Sequence, residues 1–458
     1  MRTEPAVDRL PGALGTSPPG TGLLPGADFV PAAELATHRQ ELWGRQREKV
    51  AATSPFLREA WAGVDPPERL DDLPLLPMVD KSALRADQRE HGPFGRYLAA
   101  EPTVVARVHR TGGTTGEAMN LALSAADAAQ TAIVGGRAQH ASGLGPGHRV
   151  VHCLNYMLWM GGYTDHASLE ATGATVVPFG VGGTELLVRT IRELAITAIS
   201  CTPSYPAVLE QVVHDAFPGL RPRDLGLRLG LFGGEAGLDD SAFRARLERT
   251  WGFAVRNSNY GVTDVICNTA GQCTHQDDLH LVGLDVLHAE LVDPDDGAVL
   301  PWEAGTTGEL VLTHLARECQ PLVRFRTGDV VVLTSTEPCA CGRTAPRLRV
   351  VGRSDDMVVI RGVNVFPSSV TAVVNAVAHT SGEYRIRLVG PPPYDRLPLE
   401  VELSRDAGAG TADLAAAIAA EVGELAKRDL RVTAAVTVVA HGTLPRSEGK
   451  TRRVVREP

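Results

Sequence analysis

The chain lacks any apolar run of the roughly 18 residues that a membrane helix needs. Its opening, MRTEPAVDRL, carries acids where a secretory signal would carry an apolar stretch. A membrane partner is therefore not expected, and a cytoplasmic location is. Cysteine is scarce and odd in number, with seven in 458 residues. That excludes a disulfide framework and leaves reduced thiols or a metal site. Excess positive charge is also missing. The net charge of −9 argues against an extended nucleic-acid groove. It does not exclude a small anionic ligand, because a local site can oppose the net charge. No internal repeat is present.

What remains is a chain that can bury large cores, with 43% hydrophobic and 22% charged residues. Residues 1–33 include a stretch rich in Pro and Gly (LPGALGTSPPGTGLLPGADF) and are read as a poorly ordered lead-in. From Glu34 to about Gly63 helical patterning dominates. Short apolar runs then alternate with amphipathic segments. RVVHCLNY, ATVVPFG, AITAISCTPS, LRLGLFGGE and FAVRNSNYG read as buried strands. LLVRTIREL, YPAVLEQVVHDAF and DSAFRARLERTW read as the helices between them. This alternation predicts an α/β domain over 34–353 with ligands at the strand ends. Closely spaced strands from His288 to Leu333 suggest a smaller β-rich subdomain. Residues 354–458 read as βαββαβ, a small ferredoxin-like α+β domain. DMVVIRGVNVF serves there as its first strand.

One loop, RTGGTTGEAMN (110–120), crowds three glycines and three threonines together. It lacks the lysine of a Walker A loop, and Glu117 stands where a base would be welcome. Alone, the loop reads equally as a Gly/Thr turn or as a phosphate cradle built from backbone N–H groups and hydroxyls.

Its companions decide between these. LFGGEAG (231–237), SNYGVTD (258–264), FRTGD (325–329), GRSDDMVVIRGVNVFP (352–367) and LPRSEGK (444–450) follow in order. With LPLLPMVDKSALR and GPFGRY nearer the start, they resemble the adenylate-forming superfamily, in its phenylacetate–CoA ligase-like branch. The resemblance spans about residues 34–455. It implies that a carboxylate attacks the α-phosphate of ATP, giving an acyl-adenylate and pyrophosphate. A thiol, that of coenzyme A, then displaces AMP. Such a site must hold like charges together, so it needs neutral donors, a metal and a placed cation.

The resemblance also assigns residues. Thr111, Gly112, Gly113, Thr114, Thr115 and Gly116 would form the phosphate loop. Gly234, Glu235 and Ala236 would pack on one adenine face. Tyr260, within the Tyr260, Gly261, Thr263 and Asp264 motif, would stack on the other. Asn259 would lie near the polar edge of the base. Asp329 would accept hydrogen bonds from the ribose hydroxyls, and Arg353 would contact the nucleotide. Lys450 would offset charge in the adenylation transition state. Asp355 would be the hinge on which the small domain swings between two half-reactions. Two positions depart from the family. Glu117 stands where Lys is commoner, and Asp264 replaces the usual magnesium-binding Glu, which is longer by a methylene.

Cys273 and His280 bracket one loop, and Cys339 and Cys341 form a C-x-C pair far along the chain. Three thiolates and an imidazole make a closed tetrahedral zinc site, structural rather than catalytic. His275 is the rival fourth ligand. The four positions resemble a zinc site in some relatives. Tyr156, Trp159, Met160 and Phe179 are candidates for an apolar acid pocket, and they also suit an ordinary core. Their bulk favours an aryl acid over a long fatty chain.

The reading is an ATP- and magnesium-dependent acid–CoA ligase for an aryl or arylacetic acid. Family members are often dimers, so a homodimer is expected. The alternatives are transfer to a carrier-protein thiol or an amine, and a non-catalytic nucleotide-binding protein.

Overall fold

The computed structural model describes residues 10–111, 118–235, 237–361, 363–407, 412–445 and 453–457. They divide into two compact units. One takes the described residues up to Gly233, with Thr250–Thr327 and Val331–Arg349. The other takes Gly234–Arg249, Gly328–Val330 and the residues from Val350 onward.

A twelve-stranded mixed sheet dominates the fold. Its parallel half runs in the order Thr175–Pro178, Arg149–His152, Ala198–Cys201, Leu229–Gly233 and Ala254–Val262. Parallel strands are covered on both faces, which favours unbroken apolar runs. Ala198–Cys201 and Leu229–Gly233 are buried at every position. The sheet reverses hand of pairing at Ala254–Val262, which is antiparallel to Ile266–Gln272. The closely spaced strands after His288 are not a separate sheet. Leu287–Val292, Thr307–His314 and Phe325–Ser335 extend the same one.

Helix Ala125–Ala141 begins with a capping box between Ser124 and Asp127. Asp127 also accepts from the backbone N–H groups of Glu318 and Cys319 at 2.8 and 2.9 Å. One buried carboxylate thereby ties a helix start to a distant loop.

The expected loose lead-in is a placed segment from Leu10 onward. Leu14 and Leu23 are buried. The Ala13 N–H bonds the Ala171 carbonyl at 2.9 Å, and the Leu24 N–H bonds Asp285 Oδ2 at 2.9 Å. Buried Asp28 faces Arg343 at 3.6 Å. The glycines there make tight left-handed turns, with φ near +60° to +80° at Gly12, Gly20, Gly22 and Gly26. Two buried leucines, Leu14 and Leu23, fix the path of this turn-rich segment.

In the smaller unit a four-stranded sheet runs Ala434–Val439, Leu397–Leu403, Thr380–Val389, Val454–Glu457. Its fourth strand is the tail segment Val454–Glu457, parallel to Thr380–Val389. DMVVIRGVNVF instead folds into the hairpin Val358–Ile360 with Val363–Val365. Arg361 turns there at φ +50°. Val358, Ile360 and Val365 still enter the same core as the sheet. No described helix is long and apolar enough to cross a membrane.

Candidate active site and metal centre

The larger unit gathers its share of the motif at the carboxyl end of strand Ala254–Val262, where open parallel sheets bind ligands. Asn259, Tyr260, Gly261 and Thr263 are half-buried, and Asp264 is buried. Gly261 is required by space. A Cβ there would lie 2.2 Å from the carbonyl oxygen of Cys267. Gly233, on the neighbouring strand, would likewise meet Asn259 Cβ at 2.5 Å. These glycines let two backbones close onto Asn259 and Tyr260.

Asp264 Oδ2 is bonded by Lys81 Nζ at 2.7 Å. Lys81 opens the helix Lys81–His91, whose N-cap is Asp80. The other oxygen, Oδ1, is buried without a hydrogen-bond partner. A buried carboxylate oxygen of this kind suits a hard cation. Lys81 lay within a stretch noted for resemblance, but nothing in a lone lysine announced an acidic partner 183 residues away.

Asn259 Nδ2 donates to Asp165 Oδ2 at 2.6 Å, and Cys267 Sγ–H donates to Asp165 Oδ1 at 3.1 Å. Asp165 sits inside helix Met160–Ala171 and is buried. Burial pushes its carboxyl up to about 7, against the lowering effect of the Cys267 and Asn259 hydrogen bonds. Sequence reasoning missed it, since a single Asp on a helix carries no motif.

Thr111 Oγ1 accepts from the Met119 N–H at 3.1 Å, and the Thr111 N–H donates to the Met119 carbonyl at 2.9 Å. The pair closes the neck of the predicted phosphate loop. Gly112, Gly113, Thr114, Thr115 and Gly116 lie outside the described residues, as do Glu117, Ala236 and Lys450.

Of the pocket candidates, Tyr156 and Phe179 meet at His152. The Tyr156 ring stands edge-on to the imidazole at 5.6 Å, and the Phe179 N–H donates to the His152 carbonyl at 3.2 Å. Met160 is core, packed with Leu121, Leu123 and Cys267. Trp159 is exposed at the surface. His152 Nε2–H donates to the carbonyls of Gly161 and Gly162 at 3.0 and 3.1 Å, and Nδ1 pairs with Ser200 Oγ at 3.1 Å. Burial lowers its pKa to about 4, so the ring is neutral.

The smaller unit holds its own cluster. Arg353 Nη1 donates to Asp329 Oδ1 at 2.8 Å. Arg353 Nε and Nη2 grip both oxygens of Asp355 at 2.8 and 3.0 Å. Burial alone would lower the guanidinium pKa, but the Asp355 hydrogen bonds and the Asp329 charge hold it above the usual value. Gly328, at φ +76°, leaves room for this fork, since a Cβ would lie 2.7 Å from Arg353 Nη2. Gly234, at φ +83°, and half-buried Glu235 belong to the same unit.

Cys273, His280, Cys339 and Cys341 converge, with ligand atoms within 4.8 Å of one another. Cys273 Sγ lies 3.9 Å from Cys339 Sγ, and Cys341 Sγ lies 3.6 Å from His280 Nε2. His280 Nδ1–H donates to the Ala345 carbonyl at 3.3 Å, which turns Nε2 toward the thiols. A hydrogen bond from Cys341 lowers the Cys273 thiol to about 6, against burial. The backbone N–H groups of His275 and Gln276 act in the same sense. The His275 side chain is exposed and bonded to Thr274, outside the group.

AMP-binding enzymes match residues 60–315, and the AMP-binding enzyme C-terminal domain matches residues 362–457. A phenylacetate–coenzyme A ligase of Thermus thermophilus is 35% identical over 451 residues, covering 94% of this chain and 98% of that one. One from Pseudomonas putida is 33% identical over 404 residues, covering 86% and 88%. A solved 2-hydroxyisobutyryl-CoA ligase, in the postadenylation state with 2-HIB-AMP, is 28% identical. It superposes with a TM-score of 0.85 over 96% of this chain and 94% of that one. The chain belongs to the AMP-binding, adenylate-forming enzyme family, in its phenylacetate–CoA ligase-like branch.

Proposed function

We propose that this chain joins an aryl or arylacetic acid to coenzyme A. It is an AMP-forming acid–CoA ligase: ATP activates the carboxylate as an acyl-adenylate, and the CoA thiol displaces AMP. The observation that carries the reading is the near end-to-end match to phenylacetate–coenzyme A ligases. Asn259 and Tyr260 lie near the end of strand Ala254–Val262, with Asp264 just beyond it.

The residues divide the work by charge. Asp329 is an acceptor for the ribose hydroxyls, and Arg353 holds it in place. Tyr260 supplies a stacking face for adenine, with Gly234, Glu235 and Ala236 on the other side. Asn259 reads the polar edge of the base. Thr111 to Gly116 bind pyrophosphate oxygens, and Lys450 neutralises charge at the reacting phosphorus. Asp355 is the hinge of the 354–458 domain. Asp264 offers an oxygen ligand to magnesium, which screens the phosphate charge when bound. Tyr156 and Phe179 favour a flat acid. The Cys₃His donor set of Cys273, His280, Cys339 and Cys341 suits a structural zinc. Such thiols stay reduced in the cytoplasm, the compartment we assign. Homodimerisation remains part of the reading.

Carboxylate-dependent pyrophosphate–ATP exchange tests it. Phenylacetate, benzoate, 2-hydroxyisobutyrate and a medium-chain fatty acid form the panel. Aryl acids should support the fastest exchange. Faster exchange with 2-hydroxyisobutyrate would overturn the acid class. Discharge of the adenylate by CoA, by carrier proteins and by amines then identifies the acceptor.

A further inference from the structure

We infer, on the reading above that Cys273, His280, Cys339 and Cys341 hold zinc, that Arg343 is a positioning residue of that centre. It holds the Cys341 thiolate on one side and clasps residues 28–30 of the N-terminal segment on the other, so that metal binding and docking of the segment are linked through one side chain.

Arg343 is only 5% exposed, and its guanidinium is in contact all round. Nη1 donates to Cys341 Sγ at 3.7 Å. Nη2 donates to His140 Nδ1 at 3.3 Å, on an imidazole that burial lowers to about 4 and so keeps neutral. Nε lies 3.6 Å from Asp28 Oδ2. The planar group also stands over the Phe29 ring, 5.1 Å from its centroid. One side chain therefore touches a metal ligand and two consecutive residues of the N-terminal segment.

Charge gives the guanidinium its task. Three thiolates around one dication leave an excess negative charge, and a buried excess charge is costly without a partner. Arg343 supplies a balancing cation at Cys341. The Asp28 contact alone does not account for its placement, since 3.6 Å is longer than a hydrogen bond and Nε has no hydrogen-bond partner. The turn that carries Arg343 also carries two of the ligands. The Gly342 N–H donates to the Cys339 carbonyl at 2.8 Å, and the Cys339 N–H donates to the Arg343 carbonyl at 2.9 Å. Ligation through Cys339 and Cys341 fixes this turn, and with it the reach of Arg343. Thr344 is the natural control. Its hydroxyl bonds the carbonyls of Asp28 and Val30 at 3.2 and 2.8 Å, so it grips the segment by neutral hydrogen bonds alone.

The test takes two readings on full-length wild type, Arg343→Met, Arg343→Lys and Thr344→Val. Competition with a chromogenic chelator gives zinc affinity. Chymotrypsin cleavage after Phe29, at saturating zinc, gives docking of the segment. Arg343→Met should weaken zinc binding about tenfold to a hundredfold, the usual scale for an outer partner of a metal ligand. It should also be cleaved faster. Arg343→Lys keeps a cation but not the fork. It should retain more zinc affinity than Arg343→Met and still be cleaved faster than wild type. Thr344→Val should be cleaved faster with zinc affinity unchanged. Wild-type zinc affinity in Arg343→Met overturns the inference alone. So does an equal zinc loss in Arg343→Met and Thr344→Val, which would mark a merely structural loop. Weakened zinc binding without faster cleavage in Arg343→Met overturns the link to the segment. If wild type binds no zinc, the metal reading falls, and the inference with it. Should Arg343→Met fail to fold, Arg343→Lys decides, and wild-type values in both readings overturn the inference.

Discussion

Lys81 Nζ lies 2.7 Å from Asp264 Oδ2, and the carboxylate is almost fully buried while the ammonium keeps partial contact with solvent. The pair sets a half-buried cation against a buried acid. Removing one partner leaves a buried charge alone, which is costlier than never having the pair. Lys81→Met should therefore destabilise the protein by about 2–3 kcal/mol, the scale for hydrogen bonds to charged groups. The Lys81→Met/Asp264→Asn double variant should recover much of that loss. Urea denaturation of the four members of this cycle measures the coupling. Additive losses would show that the two residues are not coupled.

The metal centre gives a second prediction. Elemental analysis of purified protein should find about one zinc per chain. Cys339→Ser and His280→Ala should each lose it, whereas His275→Ala should retain it, because His275 stands outside the ligand group. Thermal melting should drop by several degrees on chelation and recover on adding zinc. Thr344 bonds the carbonyls of Asp28 and Val30 just beyond the C-x-C pair. Chelation should accordingly raise proteolytic cleavage within residues 10–30.

The parallel strands, their helices and the nucleotide motifs were legible because each is local. A buried strand is a short apolar run, and a motif is a fixed spacing. Three features were not. The 10–30 segment has the composition of disorder, and only contacts such as those of Leu14 and Asp28 place it. The hairpin at 358–365 hides within one β-branched run, broken only by Arg361, Gly362 and Asn364. The fourth strand of the small sheet is a tail whose basic residues suggest a solvated end. Its register is fixed by Ile386 opposite Val454. Lys81 and Asp165 were illegible for one common reason. Each acts through a partner about a hundred residues or more away, and no alignment of residue types reveals that.

Arg353 supplies a third prediction. Its guanidinium reaches Asp329 with one nitrogen and both oxygens of Asp355 with two others. Lysine cannot bridge two carboxylates in that fixed fork. Arg353→Lys should weaken ATP binding about tenfold, and Arg353→Ala more. Gly328→Ala should copy the defect, since the added methyl needs the space of Arg353 Nη2 and a strained φ. Titration calorimetry with ATP reads all three variants. Unchanged affinity in Arg353→Ala would remove the residue from the nucleotide site.

The buried histidines make stability depend on pH in a stated direction. Burial lowers His109, His140 and His152 to about 4 and His288 and His314 to about 3, from an unfolded value of 6.5. In the unfolded chain these rings bind protons as pH falls through 6.5, while in the folded chain they stay neutral. Protons therefore favour unfolding, and stability should fall steadily between about pH 6.5 and 4. His152 is the informative member, because Gly161, Gly162 and Ser200 leave its neutral ring fully bonded. His152→Gln removes one titrating ring from the linkage. The slope of unfolding free energy against pH should then flatten by about 1.4 kcal/mol per pH unit in that window. Urea titrations at half-unit steps from pH 4.5 to 7.5 measure it, and an unchanged slope would mean that His152 is already charged in the folded protein.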